Sequence, residues 1–144
     1  MHHSQVIDGV ARLLHLSWQD ETGNLIGAGA ALERLANSKP LGNAALPTIP
    51  VIPSALPDRL SFSFSGPKGA VARFLSKLPP NEAKENEALR IAVARAFQSA
   101  VFRQIEEKID LTLRWCDVNG VGVTALIISG GVASNEALRT GYVF

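Results

Sequence analysis

The 144-residue chain carries 14 Lys and Arg against 13 Asp and Glu, with 47% hydrophobic and 19% charged residues, which is globular composition rather than that of a disordered polyelectrolyte. A formal charge of +1 gives no broad field for nucleic acid, so any such contact must come from a local patch. One cysteine, Cys116, excludes an internal disulfide framework and a Cys-based zinc site, and the longest apolar run, Val121 to Ile128, is far short of the ~20 residues of a bilayer span.

In chain order, residues 4–16 place Val6, Val10, Leu13 and Leu14 at helical spacing behind Ser4, a suitable N-cap. The same stretch shows neither a secretory pattern nor, with Asp8, Asp20 and Glu21 nearby, a transit-peptide composition, so a soluble chain is expected. The pattern predicts a second helix over Ala30–Asn37. Residues 40–59 hold Pro40, Pro47, Pro50, Pro53 and Pro57, and each proline removes a donor and biases its predecessor away from helix. An irregular segment packed across a neighbouring surface is expected there, because Leu46, Ile49, Val51 and Ile52 are too apolar for a solvated linker.

Leu60 to Ser65 alternates strictly apolar and polar, the pattern of a strand with one wet face. Gly66-Pro67 then opens a helix with the stripe Val71, Phe74, Leu75 and Leu78, stopped by Pro79-Pro80. Residues 82–117 form the strongest helical signal, with Leu89, Val93, Phe97, Val101 and Ile105 at every fourth position. The alternating charges of Glu82–Glu87 and Arg103–Lys108 read as a solvated face. Val121–Ile128, rich in β-branched residues, predicts a strand buried on both faces. Ser129-Gly130-Gly131-Val132 is a turn, and Ser134 can cap a last short helix. The order predicts an α/β chain with an incomplete sheet.

Local chemistry is sparse. A buried strand delivering Ser129-Gly130-Gly131 into a helix start would offer free N–H groups at a positive helix end. A structural turn and an anion-binding loop both fit, the former being commoner. His2 and His3 lack ligand spacing, His15 reads as a packed or surface histidine, and no His pair stands at i, i+4. With His15 as sole base candidate, no Ser/His/Asp arrangement can be defended. Cys116 reads as a small core residue, and Asp8 as a carboxylate favoured near a helix start.

Five segments in order resemble one family. They are Ile7-Asp8-Gly9-Val10-Ala11-Arg12-Leu13-Leu14; Gly29 with Ala31–Ala36; Ser61-Phe62-Ser63-Phe64-Ser65-Gly66 followed by Lys68; Ala96-Phe97-Gln98-Ser99-Ala100-Val101; and Ile128-Ser129-Gly130-Gly131-Val132-Ala133-Ser134-Asn135 through Arg139. They are similar to the FDKVARLL, glycine-turn, FSFSGLK, SFQ-x-AV and SGGVAxN segments of the TsaD/Gcp-type tRNA threonylcarbamoyladenosine synthases, also labelled O-sialoglycoprotein endopeptidases, with the eukaryotic organellar branch nearest. The resemblance implies a helix-rich, partial actin/Hsp70-like (ribonuclease H-like) lobe. Residues 1–144 would be a partial domain lacking the first lobe and the C-terminal end.

The family moves a threonylcarbamoyl group from its adenylate to the adenosine beside the tRNA anticodon. By resemblance, Asp8 and Glu33 would contact ribose, Gly29 would allow close backbone approach, and Ser129, Gly130, Gly131 and Asn135 would face the nucleotide end. Two carboxylate oxygens suit a vicinal diol. Threonylcarbamoyl-adenylate and tRNA are the implied partners, a homodimer or partner subunit is open, no membrane is involved, and the implied compartment is mitochondrial. The family's divalent metal (iron, zinc or magnesium) is held by a His-x3-His pair and a later Asp, neither of which this sequence matches, so no catalytic or metal residue is assigned. The GGP turn reads Gly27-Ala28-Gly29-Ala30, and Pro67 and Gly69 replace the Leu and Thr of FSFSGLKT. The expectation is a fragment inactive alone; the alternative is a non-catalytic remnant that binds a nucleotide or a partner.

Overall fold

The computed structural model describes residues 3–130 together with Asn135, Leu138 and Thr140. Its elements are α1 (His3–Leu13), α2 (Gly27–Asn37), a single 3-10 turn (Leu41–Asn43), α3 (Ser65–Leu75), α4 (Glu82–Glu85) and α5 (Glu87–Val118). The core forms where α1, α2 and α3 pack on the first half of α5: Val6, Val10, Leu14, Leu32, Val71, Leu89, Val93 and Phe97 are all buried in one cluster. Phe97 is 1% exposed, so truncation to alanine there would cost about 3–5 kcal/mol. Val101 packs against the same cluster and Ile105 is half-buried. The stripe read from every fourth residue therefore faces other helices rather than a sheet. No helix among the described residues is long and apolar enough to cross a membrane.

The helix ends have identifiable causes. α1 begins at His3, which puts Ser4 inside its first turn rather than at the cap. Its last turn closes with Leu16 N–H donating to Ala11 O and His15 N–H donating to Arg12 O, each at 3.0 Å. That pair of bonds is the Schellman arrangement, and it puts His15 at the left-handed position, φ 53°. The sequence signal for 82–117 is split once, at Asn86. This residue leaves helical geometry (ψ 98°), and its side chain accepts from Leu89 N–H at 2.9 Å, capping α5. Pro67 sits buried in the first turn of α3, where its missing N–H has no intrahelical partner to lose.

Two expected strands are not formed. Among the described residues the only β pairing is an isolated antiparallel bridge between Gln19 and Leu25. The Leu60–Ser65 run stays irregular until α3 begins at Ser65. Its central backbone is satisfied by a side chain instead: buried Gln104 accepts from Ser63 N–H at 3.0 Å and donates to Ser63 O at 3.1 Å. Residues 121–128 form no regular element and face solvent, with Ile127 87% exposed. A single apolar strand has no stability without neighbours, and no described segment lies alongside it as a ladder. The observed architecture is helix-rich.

The Arg103–Lys108 stretch is only in part the solvated face its charges suggest: Arg103 and Glu106 are exposed, and Lys108 is not. Lys108 is 3% exposed. Its ammonium donates to Leu56 O, to Pro57 O at 3.1 Å and to Glu107 Oε1 at 3.1 Å, while Ser54 Oγ donates to Glu107 Oε2 at 2.7 Å. The Ser54 hydroxyl, and after it the Lys108 ammonium, hold the Glu107 carboxyl below its usual range. Beyond the Leu41–Asn43 turn the proline-rich segment thus has no helix or strand, but α5 supplies its hydrogen-bond partners.

Between α1 and α2, the Asp20 carboxylate accepts from Thr22 Oγ1 at 2.7 Å and from the Thr22 and Asn24 N–H groups, each at 2.9 Å. These bonds, the Thr22 hydroxyl foremost, lower its pKa to about 2.

Three outcomes follow for stability. His15→Gly should stabilise the chain by about 1 kcal/mol in urea unfolding, because glycine enters the left-handed region without a Cβ clash. Gln104→Leu keeps the volume but strands both polar groups of Ser63, and should cost about 2–4 kcal/mol in the same assay. For Asp20 the folded pKa lies below the ordinary 3.8, so its contribution is complete above about pH 4 and is lost as pH falls through about 2. An NMR titration of the Asp20 carboxyl should show this, with Thr22→Ala moving the midpoint upward.

Candidate functional site

The residues assigned by resemblance fall on three elements. Asp8 is half-buried on α1, and Gly29 and Glu33 lie one turn apart on α2. Gly29 is exposed, and a Cβ built there would meet nothing within 4 Å, so this point of α2 is open to an approaching group. Next to Asp8, Gly9 has a different reason to be glycine: a Cβ would come within 2.6 Å of Lys68 Cε and 2.8 Å of Lys68 Nζ. The FDKVARLL-like and FSFSGLK-like segments therefore touch, the lysine of one lying across the glycine of the other.

A second junction joins the remaining segments. Gln98 of α5 donates from Nε2 to Asn135 Oδ1 at 3.2 Å, and the same oxygen accepts from Leu138 N–H at 3.3 Å, which caps the turn that carries buried Leu138. Asn135 is thus held against the middle of α5. Ser129 and Gly130 are exposed, Gly130 at φ +90° where an L side chain would be strained. Gly131 lies outside the described residues, as do Val132 to Ser134, the expected continuation of the turn and its cap.

Between the end of α2 and α5 runs an open groove of about 540 Å³, lined by Asn37, Arg95, Gln98, Ser99, Phe102 and Arg103 among others. Asn37 continues the α2 face of Gly29 and Glu33 by one more turn. Arg95 braces the groove, donating from Nε to Ala36 O at 2.7 Å and from a terminal nitrogen to Ser38 O at 2.8 Å. These are C-terminal carbonyls of α2 that no intrahelical donor reaches. Of these residues, the sequence drew attention to Gln98 and Ser99 through a family motif and to Arg103 only as part of a charge run. On α5 the signal was present: positions 95, 98, 99, 102, 103 and 106 recur at three and four, which makes a stripe, polar except for Phe102, beside the apolar one.

No three His, Cys, Asp or Glu side chains among the described residues converge as a metal would require. His15 is committed to the end of α1. The described residues do not fit the divalent metal that the resemblance implies, and no step is derived through one.

Comparison with known proteins gives a consistent picture. The family described as TsaD, tRNA N6-adenosine threonylcarbamoyltransferase, matches residues 3–143. A protein of that name from Granulibacter bethesdensis is 34% identical over 137 residues, covering 94% of this chain and 32% of the relative. One from Sorangium cellulosum is 35% identical over 135 residues, covering 94% and 33%, and one from Clostridium perfringens is 42% identical over 82 residues, covering 57% and 22%. The chain spans about a third of the length of the first two relatives. No solved structure matches it.

Proposed function

The chain belongs to the tRNA N6-adenosine threonylcarbamoyltransferase family, and from that premise we propose that it forms one wall of the nucleotide site of such an enzyme. The reaction served is transfer of threonylcarbamoyl from its adenylate to the adenosine beside the tRNA anticodon. The observation that carries the reading is the Gln98–Asn135 contact at 3.2 Å, which holds the asparagine of the SGGVAxN-like motif on α5 beside the groove. On this reading Asp8 and Glu33 accept from the ribose hydroxyls, Gly29 admits the sugar, and Ser129 and Gly130 with Asn135 face the nucleotide. In the intact protein the helical unit would form part of an actin/Hsp70-like lobe, with 121–128 as one of its strands.

One wall does not make a transferase. The acyl adenylate must be held in line with the accepting amine, and orientation of that kind comes from groups on both sides of the substrate. We therefore read the chain by itself as inactive. The family's metal, and with it charge neutralisation at the leaving phosphate, would be supplied by residues outside this chain. A mitochondrial setting follows from the resemblance alone.

A second reading, a non-catalytic unit that binds a partner protein, is favoured by the exposed apolar end of α5 and the segment after it, including Trp115, Val118 and Ile127. The two readings separate in one assay series. The chain incubated with threonylcarbamoyl-adenylate and unmodified tRNA should yield no modified nucleoside; yield at the rate of a full-length relative would overturn the one-wall reading. AMP should still bind, weakly, and Asn135→Ala should weaken that binding about tenfold, the effect of losing one good polar contact.

A further inference from the structure

The two ends of the Gln98 carboxamide are treated unequally. Nε2 donates to Asn135 Oδ1, an oxygen already engaged by Leu138 N–H. Turning the amide over would set two acceptor oxygens against each other, because Leu138 N–H fixes which atom of Asn135 is presented. The orientation is therefore determined, and its consequence is that Gln98 Oε1 is buried with no hydrogen-bond partner among the described residues. Buried acceptors of this kind are rare in folded proteins and ask for a donor.

The donor can come from the groove that Gln98 lines. Phe102 and Arg103, on the same wall, offer flat surfaces on which a heterocycle can stack, and a volume of about 540 Å³ is ample for a base. We propose that Gln98 is a specificity residue: its Oε1 accepts from the exocyclic amine of a purine lying in this groove. Accepting there requires the planar carboxamide to turn about its broad terminal torsion, which carries Oε1 into the groove and takes Nε2 off Asn135, whose Oδ1 keeps Leu138 N–H. The assignment rests on the nucleotide reading above and adds which end of the nucleotide lies here, and which of its atoms is read.

The test compares AMP with purine riboside 5′-monophosphate, which lacks the amine, by NMR titration of the full chain. AMP should bind about tenfold more tightly, the worth of one satisfied polar contact. Gln98→Leu should abolish the preference: whatever both nucleotides lose with the support of Asn135, AMP should lose about tenfold more. Gln98→Met serves the same comparison should Gln98→Leu melt early. Equal binding of the two nucleotides by the native chain overturns the assignment while leaving the nucleotide reading intact. So does an equal loss for both in the variants, which would reduce Gln98 to a support for Asn135. Binding of neither nucleotide overturns both.

Discussion

The fold depends on a side chain standing in for a strand. Gln104 is fully buried on α5, and its carboxamide meets both the N–H and the C=O of Ser63, the pairing a neighbouring strand would otherwise supply. One turn further along, Lys108 and Glu107 bind the backbone and side chains of residues 54–57. A proline-rich segment cannot satisfy its own carbonyls, since each proline removes a donor from the local supply. Burying such a segment is tolerable only if something else donates. α5 does so from two positions one turn apart, Gln104 and Lys108, and this fixes where the chain enters α3.

That same helix organises the candidate site. Its apolar stripe supports α1 and α2, its polar stripe makes the groove, and Gln98 stands where the two stripes meet. Arg95 links them mechanically by satisfying the end of α2. Apart from Ser129 and Gly130, the described residues matched to the family are thus tied to the helical unit. Asp8, Glu33 and Asn135 are each positioned relative to α5 through packed helices or a direct hydrogen bond, and rigid elements hold a site better than loops do.

How much of this the sequence disclosed depends on the range of the interaction concerned. Periodicity located α1, α2, α3 and α5 within a few residues, because a buried stripe repeats where the helix repeats. It misjudged Leu60–Ser65, since alternation reports a wet and a dry face but not whether the partner is a strand or a glutamine. Lys108 was misread for a related reason: charge patterning assumes solvent outside, and the cover over it comes from residues about fifty positions earlier. The strand expected at 121–128 has the right composition, yet strand formation is a property of a sheet rather than of one segment. In the candidate site, Asn135 was accessible only through the family resemblance, whereas the groove stripe on α5 was legible from spacing and was passed over in favour of the apolar stripe beside it.

Continuous in its backbone, α5 is uneven in its thermodynamics. Every residue of it that is fully buried lies between Leu89 and Lys108; the last ten, to Val118, have none, although 32 residues extend about 48 Å. Helical segments owe most of their stability to packing rather than to propensity. The amides of the first two thirds therefore exchange with solvent only when the core itself opens, while those near Trp115 exchange through local fraying that leaves the core intact. The helix spans two cooperative units, and the boundary between them falls at Lys108, the last point at which the rest of the chain holds on.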